Sequence, residues 1–198
     1  MAKRRALGKL IALDGNGPEL VSAGRQLLRS ETGGAPGGTS KWDASNIFYE
    51  LRMAGRGLPA PSPRTLLLLY ASDLAFRLRW EIRPALEEGL DVVAAPYVET
   101  AIALGRATGL PRRWLTELFA FAPKPARSYY LRGPTQAAWM GKRSAGFLEF
   151  CLVTLASNWE QWDELDLRRK VSGYLNGLER RGLCRSASGQ APARSDGQ

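Results

Sequence analysis

The sequence contains no histidine and only two cysteines, Cys151 and Cys184. Without histidine the chain lacks the commonest general base and the commonest neutral metal ligand. Two isolated cysteines provide neither a disulfide framework nor the ligand spacing of a metal site. Any catalysis by this chain therefore has to use carboxylates, hydroxyls or lysine, and no metal-binding residue is predicted.

Long hydrophobic runs are missing as well. The longest uninterrupted apolar run covers residues 66–71, whereas a membrane-spanning helix needs about 20 apolar residues. The basic start of the chain leads directly into an apolar strand pattern and lacks the A-x-A-like cleavage site of a signal peptide. We therefore expect a cytoplasmic protein without a membrane partner. Its 198 residues, 44% of them apolar, suffice for one domain with a substantial core.

Acidic residues are few relative to basic ones, 19 against 28, which gives a formal net charge of +9. Such an excess is typical of proteins that bind nucleic acids or other anions. Here the basic residues are scattered in short clusters, and no stripe combines them with aromatic residues in a known nucleic-acid-binding motif. We interpret them as solvated helix faces, which makes nucleic acid the weakest of the partners considered.

Residues 10–28 predict a strand, a tight loop and an amphipathic helix. The loop residues Asp14, Gly15, Asn16 and Gly17 stand where nucleotide-binding proteins carry the phosphate-binding pattern G-x-x-x-x-G-K-[ST]. In such a loop, backbone N–H groups and the start of the following helix bind an anion. The four residues are therefore nucleotide-binding candidates, and the alternative is that they only form an ordinary turn.

The phosphate-binding pattern is incomplete in this loop. Positions 12–19 are Ala, Leu, Asp, Gly, Asn, Gly, Pro and Glu, so the first glycine, the lysine and the hydroxyl are absent. Pro18 removes a charge and a backbone donor, and Glu19 adds a negative charge in place of the hydroxyl that holds Mg²⁺. Pro18 at the first helical position and Glu19 in the first turn still favour a helix. We expect a sound helix start with a degenerate anion site.

Glycine divides the next part of the chain. Residues 31–40 are so rich in glycine that they predict a loop, and only residues 39–42 fit a short strand. Asp43 or Ser45 is then expected to cap a helix, which ends near residues 55–57.

A long apolar helix is predicted over residues 63–88, because Ser62-Pro63 suits its N-cap and first position. Asp73, Arg77 and Glu81 are spaced four apart and are expected to pair with one another along one side of this helix.

The rest of the chain alternates between short strands and helices. Pro84 is expected to bend or restart the long helix, and Gly89 to end it. Strands are predicted at residues 91–95 and 128–131. Helices are predicted at residues 98–106, 111–121, 147–155 and around 171–178. This alternation predicts a three-layer α/β fold, in which a parallel sheet has helices on both faces.

Residues 132–146 are polar, basic and glycine-bearing, and they predict a mobile flap that contains Lys142 and Arg143. We assign residues 1–185 to one domain that includes this flap. Residues 186–198 predict a disordered tail.

This order of segments resembles the thymidylate kinase family of P-loop nucleoside monophosphate kinases. The most specific part is residues 62–97, SPRTLLLLYASDLAFRLRWEIRPALEEGLDVVAAPY, which is similar to the family patterns S-P-x-T-x-L-L-F-A-A-D-R, I-x-P-A-L-x-x-G and V-x-x-D-R-Y. With the first strand and its loop, the resemblance covers most of residues 10–131. It implies a P-loop NTPase-like fold and a homodimer formed through the helix at residues 63–88.

The resemblance also implies roles for four residues. Tyr70 stands where the family has the aromatic residue that stacks on thymine, and Thr100 stands where a Ser or Thr lines the same pocket. Asp73 and Tyr97 are retained from the A-D-R and D-R-Y motifs. These four are candidate substrate-pocket residues.

Other family positions have changed. Leu74 replaces the arginine of A-D-R, which in the family engages the monophosphate, and Gly105 replaces the glutamine that contacts the base. Ala95 and Pro96 replace the Asp and Arg of D-R-Y. Phosphoryl transfer depends on positioning and on cations around the transferring group, and the loop lysine and both arginines are absent together.

The sequence therefore predicts a thymidylate kinase-like protein that has lost phosphotransferase activity, has no catalytic residue and acts as a binding or scaffolding protein. No cofactor is expected on this hypothesis, and a protein partner or a small nucleotide stays open as its ligand. It also predicts that Leu74→Arg leaves folding and assembly nearly intact without restoring catalysis.

Two alternatives belong to other classes. The first is an active dTMP-type kinase with a rebuilt phosphate site, using ATP and Mg²⁺ as cofactors. There Asp14 or Glu19 would hold Mg²⁺, and Lys142 and Arg143 would replace the missing cations. The second alternative, and the weaker one, is a nucleic-acid-associated basic protein.

Overall fold

A computed structural model describes residues 6–17, 19–54, 59–132, 146–158 and 162–187 of the chain. Its five strands form one parallel sheet in the order β2-β3-β1-β4-β5. The strands are β1 (Leu10–Gly15), β2 (Gly37–Lys41), β3 (Asp91–Ala95), β4 (Arg127–Leu131) and β5 (Arg185–Ser186). The helices are α1 (Leu20–Thr32), α2 (Ile47–Ala54), α3 (Pro63–Arg77), α4 (Arg83–Glu87), α5 (Glu99–Ala107), α6 (Arg112–Leu118), α7 (Phe147–Asn158) and α8 (Glu164–Arg180).

Both faces of the sheet are buried. On one face, Ile11 and Leu13 of β1 belong to a cluster that includes Leu20 of α1. On the other face, Leu10 and Ala12 belong to the larger cluster built with α3, α5, α7 and α8. Successive strand residues point to opposite faces, so strands covered on both sides are apolar throughout. This arrangement confirms the predicted three-layer α/β fold with helices on both faces.

The predicted long helix begins as expected. The Ser62 hydroxyl accepts the Thr65 N–H at 3.1 Å, and Pro63 occupies the first turn of α3. An N-cap of this kind satisfies one of the N–H groups that a helix start leaves without an internal partner.

The same helix changes form before Pro84. A π-helical turn, Leu78–Ile82, follows α3, and the Arg83 N–H donates to the Leu78 carbonyl. Proline has no N–H, and its ring would clash with the carbonyl four residues earlier in an α-helix. The wider π-helical turn avoids this clash, and α4 then begins at Arg83. The expected restart at Pro84 is therefore confirmed, and Gly89 follows α4 with a φ of 81°.

The predicted boundaries around α1 and β2 were partly wrong. Helix α1 continues to Thr32, and β2 begins at Gly37, so the loop is shorter than the predicted 31–40. Glycine has a low strand propensity, but here pairing with β3 from Gly37 to Lys41 fixes the strand. Glu19 is the N-cap of α1 and not a first-turn residue, while Pro18 lies outside the described residues.

The predicted salt-bridged side of the long helix was also wrong. In the described part of the chain, Asp73, Arg77 and Glu81 form no ion pair with one another within 4.0 Å. Arg77 donates to the Ser40 hydroxyl at 2.9 Å, and that hydroxyl donates to Glu81 at 2.6 Å. The charged side chains are therefore used to fix β2 to the helix.

The C-terminal part adds a strand that was not predicted. Arg185 and Ser186 pair with Tyr129 and Tyr130 of β4, so the tail boundary predicted at residue 186 falls inside β5. Residues 188–198 and 133–145 lie outside the described residues, and with them most of the predicted flap. Across the described ranges, no helix combines the length and the apolar character needed to cross a membrane.

Candidate nucleotide-binding site

Asp14, near the carboxyl end of β1, is buried and binds the first turn of α5. Its Oδ1 accepts the Tyr97 N–H at 3.0 Å, the Thr100 N–H at 2.9 Å and the Thr100 hydroxyl at 2.9 Å. Burial raises the pKa of Asp14 above its ordinary value, although these hydrogen bonds act in the opposite direction. Oδ1 of Asp14 therefore holds the start of α5 against the end of β1.

The glycine loop after β1 is closely packed. The Gly15 N–H donates to the Thr100 hydroxyl at 3.1 Å, and a Cβ at Gly15 would lie 2.8 Å from both the Leu131 carbonyl oxygen and Leu20. Only glycine fits this position without a shift of the backbone. The Asn16 amide donates to the hydroxyl of Ser172 in α8. Hydrogen bonds thus connect Gly15 to α5 and Asn16 to α8.

Tyr70, the predicted base-stacking residue, has no exposed surface. The centroids of the Tyr70 and Phe147 rings are 4.2 Å apart. The Tyr70 hydroxyl donates to the carbonyls of Pro96 and Tyr97. Burial raises the pKa of Tyr70 well above its usual range, so the hydroxyl is protonated. One side of the Tyr70 ring is covered by Phe147, the first residue of α7.

The other substrate-pocket candidates lie at separate points. The Thr100 hydroxyl contacts the backbone of Gly15 in the glycine loop. The Tyr97 hydroxyl donates to the Pro123 carbonyl at 2.7 Å. Asp73 is fully buried and accepts the Asp43 N–H at 2.9 Å and the Ser45 N–H at 3.0 Å. All three side chains are thus engaged in holding neighbouring segments together.

A cleft of about 440 Å³ lies at the carboxyl edge of the sheet, where parallel α/β folds bind ligands. Gly15, Gly17 and Thr100 form one wall, and α2 and the start of α7 form the opposite walls. Three basic side chains line the cleft. They are Arg25 of α1, Lys41 at the end of β2 and Arg52 of α2.

Arg77 is a fully buried cation beside this cleft. Its Nη2 donates to the carbonyls of Ser40 at 2.9 Å and Pro96 at 3.0 Å. Pro96, which follows a cis peptide bond, and Lys41, the neighbour of Ser40, both line the cleft. Arg77 therefore joins the carboxyl ends of β2 and β3.

The described residues do not provide a ready ligand set for Mg²⁺. Nowhere in the described ranges do three or more His, Cys, Asp or Glu side chains come together as in a metal site. Oδ1 of Asp14 accepts from three donors, and Glu19 is an exposed N-cap residue whose side chain forms no capping hydrogen bond. With the loop lysine and hydroxyl replaced, these residues do not fit the donor set that holds a magnesium–nucleotide in P-loop proteins.

Sequence reasoning missed several residues of this edge. Phe147 was assigned to an amphipathic helix without any indication that it meets Tyr70. Lys41 lies within the short strand predicted at residues 39–42, but it was not named as a site residue. Its place at the end of a strand is the one signal that could have identified it. Lys142 and Arg143 lie outside the described residues, so their role in the site stays a prediction.

Comparisons with known proteins give partial sequence matches. No family model matches the chain. It is 31% identical over 105 residues to a probable thymidylate kinase of Pyrococcus abyssi, which covers 52% of this chain and 46% of the relative. It is 35% identical over 104 residues to a thymidylate kinase of Parasynechococcus marenigrum, with the same coverage. In both cases the match spans less than half of the relative.

The fold comparison extends over more of the chain. A crystal structure of thymidylate kinase from Ehrlichia chaffeensis superposes with a TM-score of 0.62 at 12% sequence identity. The superposition covers 90% of this chain and 91% of the other, so the two share their fold. Part of the sequence is thus similar to thymidylate kinases, and the fold is similar to that of a thymidylate kinase structure.

Proposed function

We propose that this chain is a thymidylate kinase-like protein that has lost phosphotransferase activity and acts as a binding or scaffolding protein. The observation that carries the proposal is the contact between Tyr70 and Phe147, whose ring centroids are 4.2 Å apart. A base that stacked on Tyr70 would have to displace Phe147, which is only 1% exposed. The space for the acceptor base is therefore filled by the chain itself.

The phosphate side of the site supports the same proposal. Leu74, which stands where the family has an arginine, is fully buried among apolar residues. Ala95 and Pro96 stand where the resemblance implies Asp and Arg. Each cation removed from a phosphoryl-transfer site costs orders of magnitude in rate. The loss of several at once favours a protein that keeps the fold without the reaction.

The test is a calorimetric titration of the purified chain with Mg-ATP, followed by an assay of ADP formation with dTMP. We expect no turnover above background and no Mg-ATP binding in the cleft beside Gly15 and Gly17 up to millimolar concentrations, which corresponds to less than about 4 kcal/mol of binding free energy. ATP turnover that dTMP stimulates, or micromolar binding of Mg-ATP that Arg25→Gln/Lys41→Gln abolishes, would contradict the proposal.

One observation favours a second candidate, an active kinase with a rebuilt phosphate site. Three cations line the cleft beside Gly15 and Gly17: Arg25 of α1, Lys41 of β2 and Arg52 of α2. None of them stands at a position where the family motifs carry a cation. On this hypothesis ATP and Mg²⁺ are the cofactors and a nucleoside monophosphate is the acceptor.

The active-kinase hypothesis predicts that the variant Arg25→Gln/Lys41→Gln lowers acceptor-stimulated turnover at least about 100-fold. The matched control, Arg29→Gln/Arg83→Gln, removes the same number of charges from exposed positions outside the cleft. Equal effects of both variants, or no turnover to begin with, would reject this second candidate.

We also propose that the chain forms a homodimer through the outer face of α3 and the π-helical turn. Three large apolar side chains are exposed along this face, Leu68 by 47%, Phe76 by 40% and Trp80 by 64%. Phe76 and Trp80 are four residues apart and therefore lie on one face, and Leu68 lies about two helical turns earlier on the exposed side of α3. A second copy would cover this stripe from solvent.

A further inference from the structure

A second cavity lies among the helices that pack on the α5 and α8 face of the sheet. It has a volume of about 780 Å³ and is bordered by α5, α6 and α8. Four arginines line it, one from α5, one from α6 and two from the end of α8: Arg106, Arg112, Arg180 and Arg181. We call this cavity the arginine groove. Its size lies within the range of small-molecule sites.

The charges of the arginine groove are not balanced by the fold. Its lining contains one carboxylate, that of Glu99, which accepts the Tyr174 hydroxyl at 3.1 Å. Within the described ranges, none of the four arginines forms an ion pair within 4.0 Å. Arg181 acts electrostatically on Glu99 and Tyr174, and Arg106 on Tyr174. The groove is therefore strongly positive.

Helix stability explains only part of this arrangement. Arg106 and Arg180 lie in the last turns of α5 and α8, where the helix dipole favours a cation. Arg112 is the first residue of α6, where the dipole disfavours a cation. Its position is therefore a cost to the helix that a negatively charged ligand would offset.

Two glycines inside α8 also lack a packing explanation. Gly173 and Gly177 face the groove four residues apart, and a Cβ at either position would meet no atom within 4 Å. Glycine in a helix interior is less favourable than alanine. Both positions leave room for a side chain, and glycine there leaves the helix backbone accessible from the groove.

We infer that the arginine groove is a binding site for a small molecule that carries several adjacent phosphate groups. Arginine recognises phosphate through paired, charge-assisted hydrogen bonds, and four arginines around one cavity match several phosphates in a row. No residue lines both the arginine groove and the cleft at the glycine loop, although the adjacent residues Glu99 and Thr100 line one each. The inference therefore does not depend on the proposed function.

The first experiment is a calorimetric titration with inorganic tripolyphosphate at about 150 mM salt, on the full chain and on two double variants. In Arg106→Gln/Arg180→Gln we expect at least tenfold weaker binding. In the matched control Arg29→Gln/Arg83→Gln, which has the same net charge and exposed arginines elsewhere, we expect a change of less than twofold. No binding to the full chain, or equal weakening in both variants, would overturn the inference.

Two further arms identify the site and the source of the phosphates. Loss of tripolyphosphate binding in Arg25→Gln/Lys41→Gln, with binding retained in Arg106→Gln/Arg180→Gln, would place the ligand in the other cleft and overturn the inference. ATP without Mg²⁺ is expected to compete with tripolyphosphate if the phosphates belong to a nucleotide, and not to compete if a bare phosphate chain is preferred. A single-stranded dT20 oligonucleotide that binds tightly and is not displaced by tripolyphosphate would indicate nucleic acid instead.

The glycines provide a test that is independent of charge. Gly177→Ala is expected to raise the melting temperature by about 2–4 °C because it removes the helix cost of glycine, and to change binding by less than threefold. Gly177→Leu is expected to fill the groove and weaken tripolyphosphate binding at least tenfold while the melting temperature stays at or above that of the parent chain. Unchanged binding in Gly177→Leu would contradict a ligand seated against α8.

Discussion

Leu74 has no exposed surface and lies in the main apolar cluster with Leu67, Tyr70 and Leu78. This burial argues against the expectation from the sequence that Leu74→Arg leaves folding nearly intact, because an arginine there would place a charge among apolar side chains. We predict that Leu74→Arg lowers the free energy of unfolding by about 3–5 kcal/mol, as measured by urea unfolding. The volume-matched control Leu74→Met should cost less than about 1.5 kcal/mol. Equal stabilities of the two variants would show that the site can rearrange around a cation.

The buried carboxyl of Asp14 gives stability a defined pH dependence. Burial raises its pKa in the folded state above the value of about 3.9 in the unfolded chain. Its contribution to stability is therefore complete below about pH 4 and is lost as the pH rises through the folded-state pKa. Asp14→Asn keeps the oxygen that accepts three hydrogen bonds but cannot ionise. We predict that this variant gains stability relative to the parent chain as the pH rises from 4 to 7.

The measurement for Asp14 is urea unfolding at several pH values. The matched control is Asp166→Asn, because ionic hydrogen bonding to Lys170 lowers the pKa of that exposed carboxyl. Its contribution has the opposite sign, since it is present above the unfolded-state pKa and is lost as the pH falls. A stability difference for Asp14→Asn that stays constant with pH would mean that Asp14 is not held in a desolvated site.

At the scale of elements, Asp73 connects α3 to the turn between β2 and α2. It accepts the Ser45 hydroxyl at 2.8 Å in addition to the two N–H groups of that turn, and Asp43 in turn accepts the Phe48 and Tyr49 N–H groups at the start of α2. We predict that Asp73→Ala leaves these donors unpaired and costs about 1–3 kcal/mol.

We expect the stability lost in Asp73→Ala to appear first at the turn before α2. Hydrogen exchange of the Phe48 and Tyr49 amides is expected to accelerate in Asp73→Ala, while the amides of α5 keep their protection. Ser72→Ala is the control, because the Ser72 hydroxyl bonds only the Leu68 carbonyl of the same helix. If the exchange of α2 were unchanged, Asp73 would not be what holds this turn.

The elements also show how far the sequence alone leads. Residues 10–15 and 91–95 carry apolar runs, and residues 63–77 carry an N-cap, a proline and a wide apolar face, so β1, β3 and α3 follow from local patterns. The first two residues of β2, Gly37 and Gly38, were predicted as loop. Their strand conformation is fixed by pairing with β3, which the local sequence does not reveal.

The site was harder to predict than the fold for the same reason. Spacing places Asp73, Arg77 and Glu81 on one side of a helix, but their partners come from β2 and the turn after it. Phe147 reaches Tyr70 from a helix much later in the chain. Such contacts depend on tertiary packing, which periodicity does not encode.

At the scale of the whole molecule, the open question is what covers the apolar stripe of Leu68, Phe76 and Trp80. A monomer leaves these side chains in water, where each costs hydrophobic free energy that burial would recover. Large exposed apolar patches are typical of surfaces that bind another protein. A twofold interface would place the same stripe of both copies in contact.

We predict that the chain runs in size-exclusion chromatography with light scattering at twice the 21.7 kDa of one copy. Phe76→Asp/Trp80→Asp should run at the mass of a single copy, because two carboxylates on each side of the interface repel each other and resist desolvation. Leu165→Asp, which changes an apolar residue of α8 that is 52% exposed, should leave the dimer intact. A parent chain that is monomeric at all concentrations would contradict the proposed homodimer.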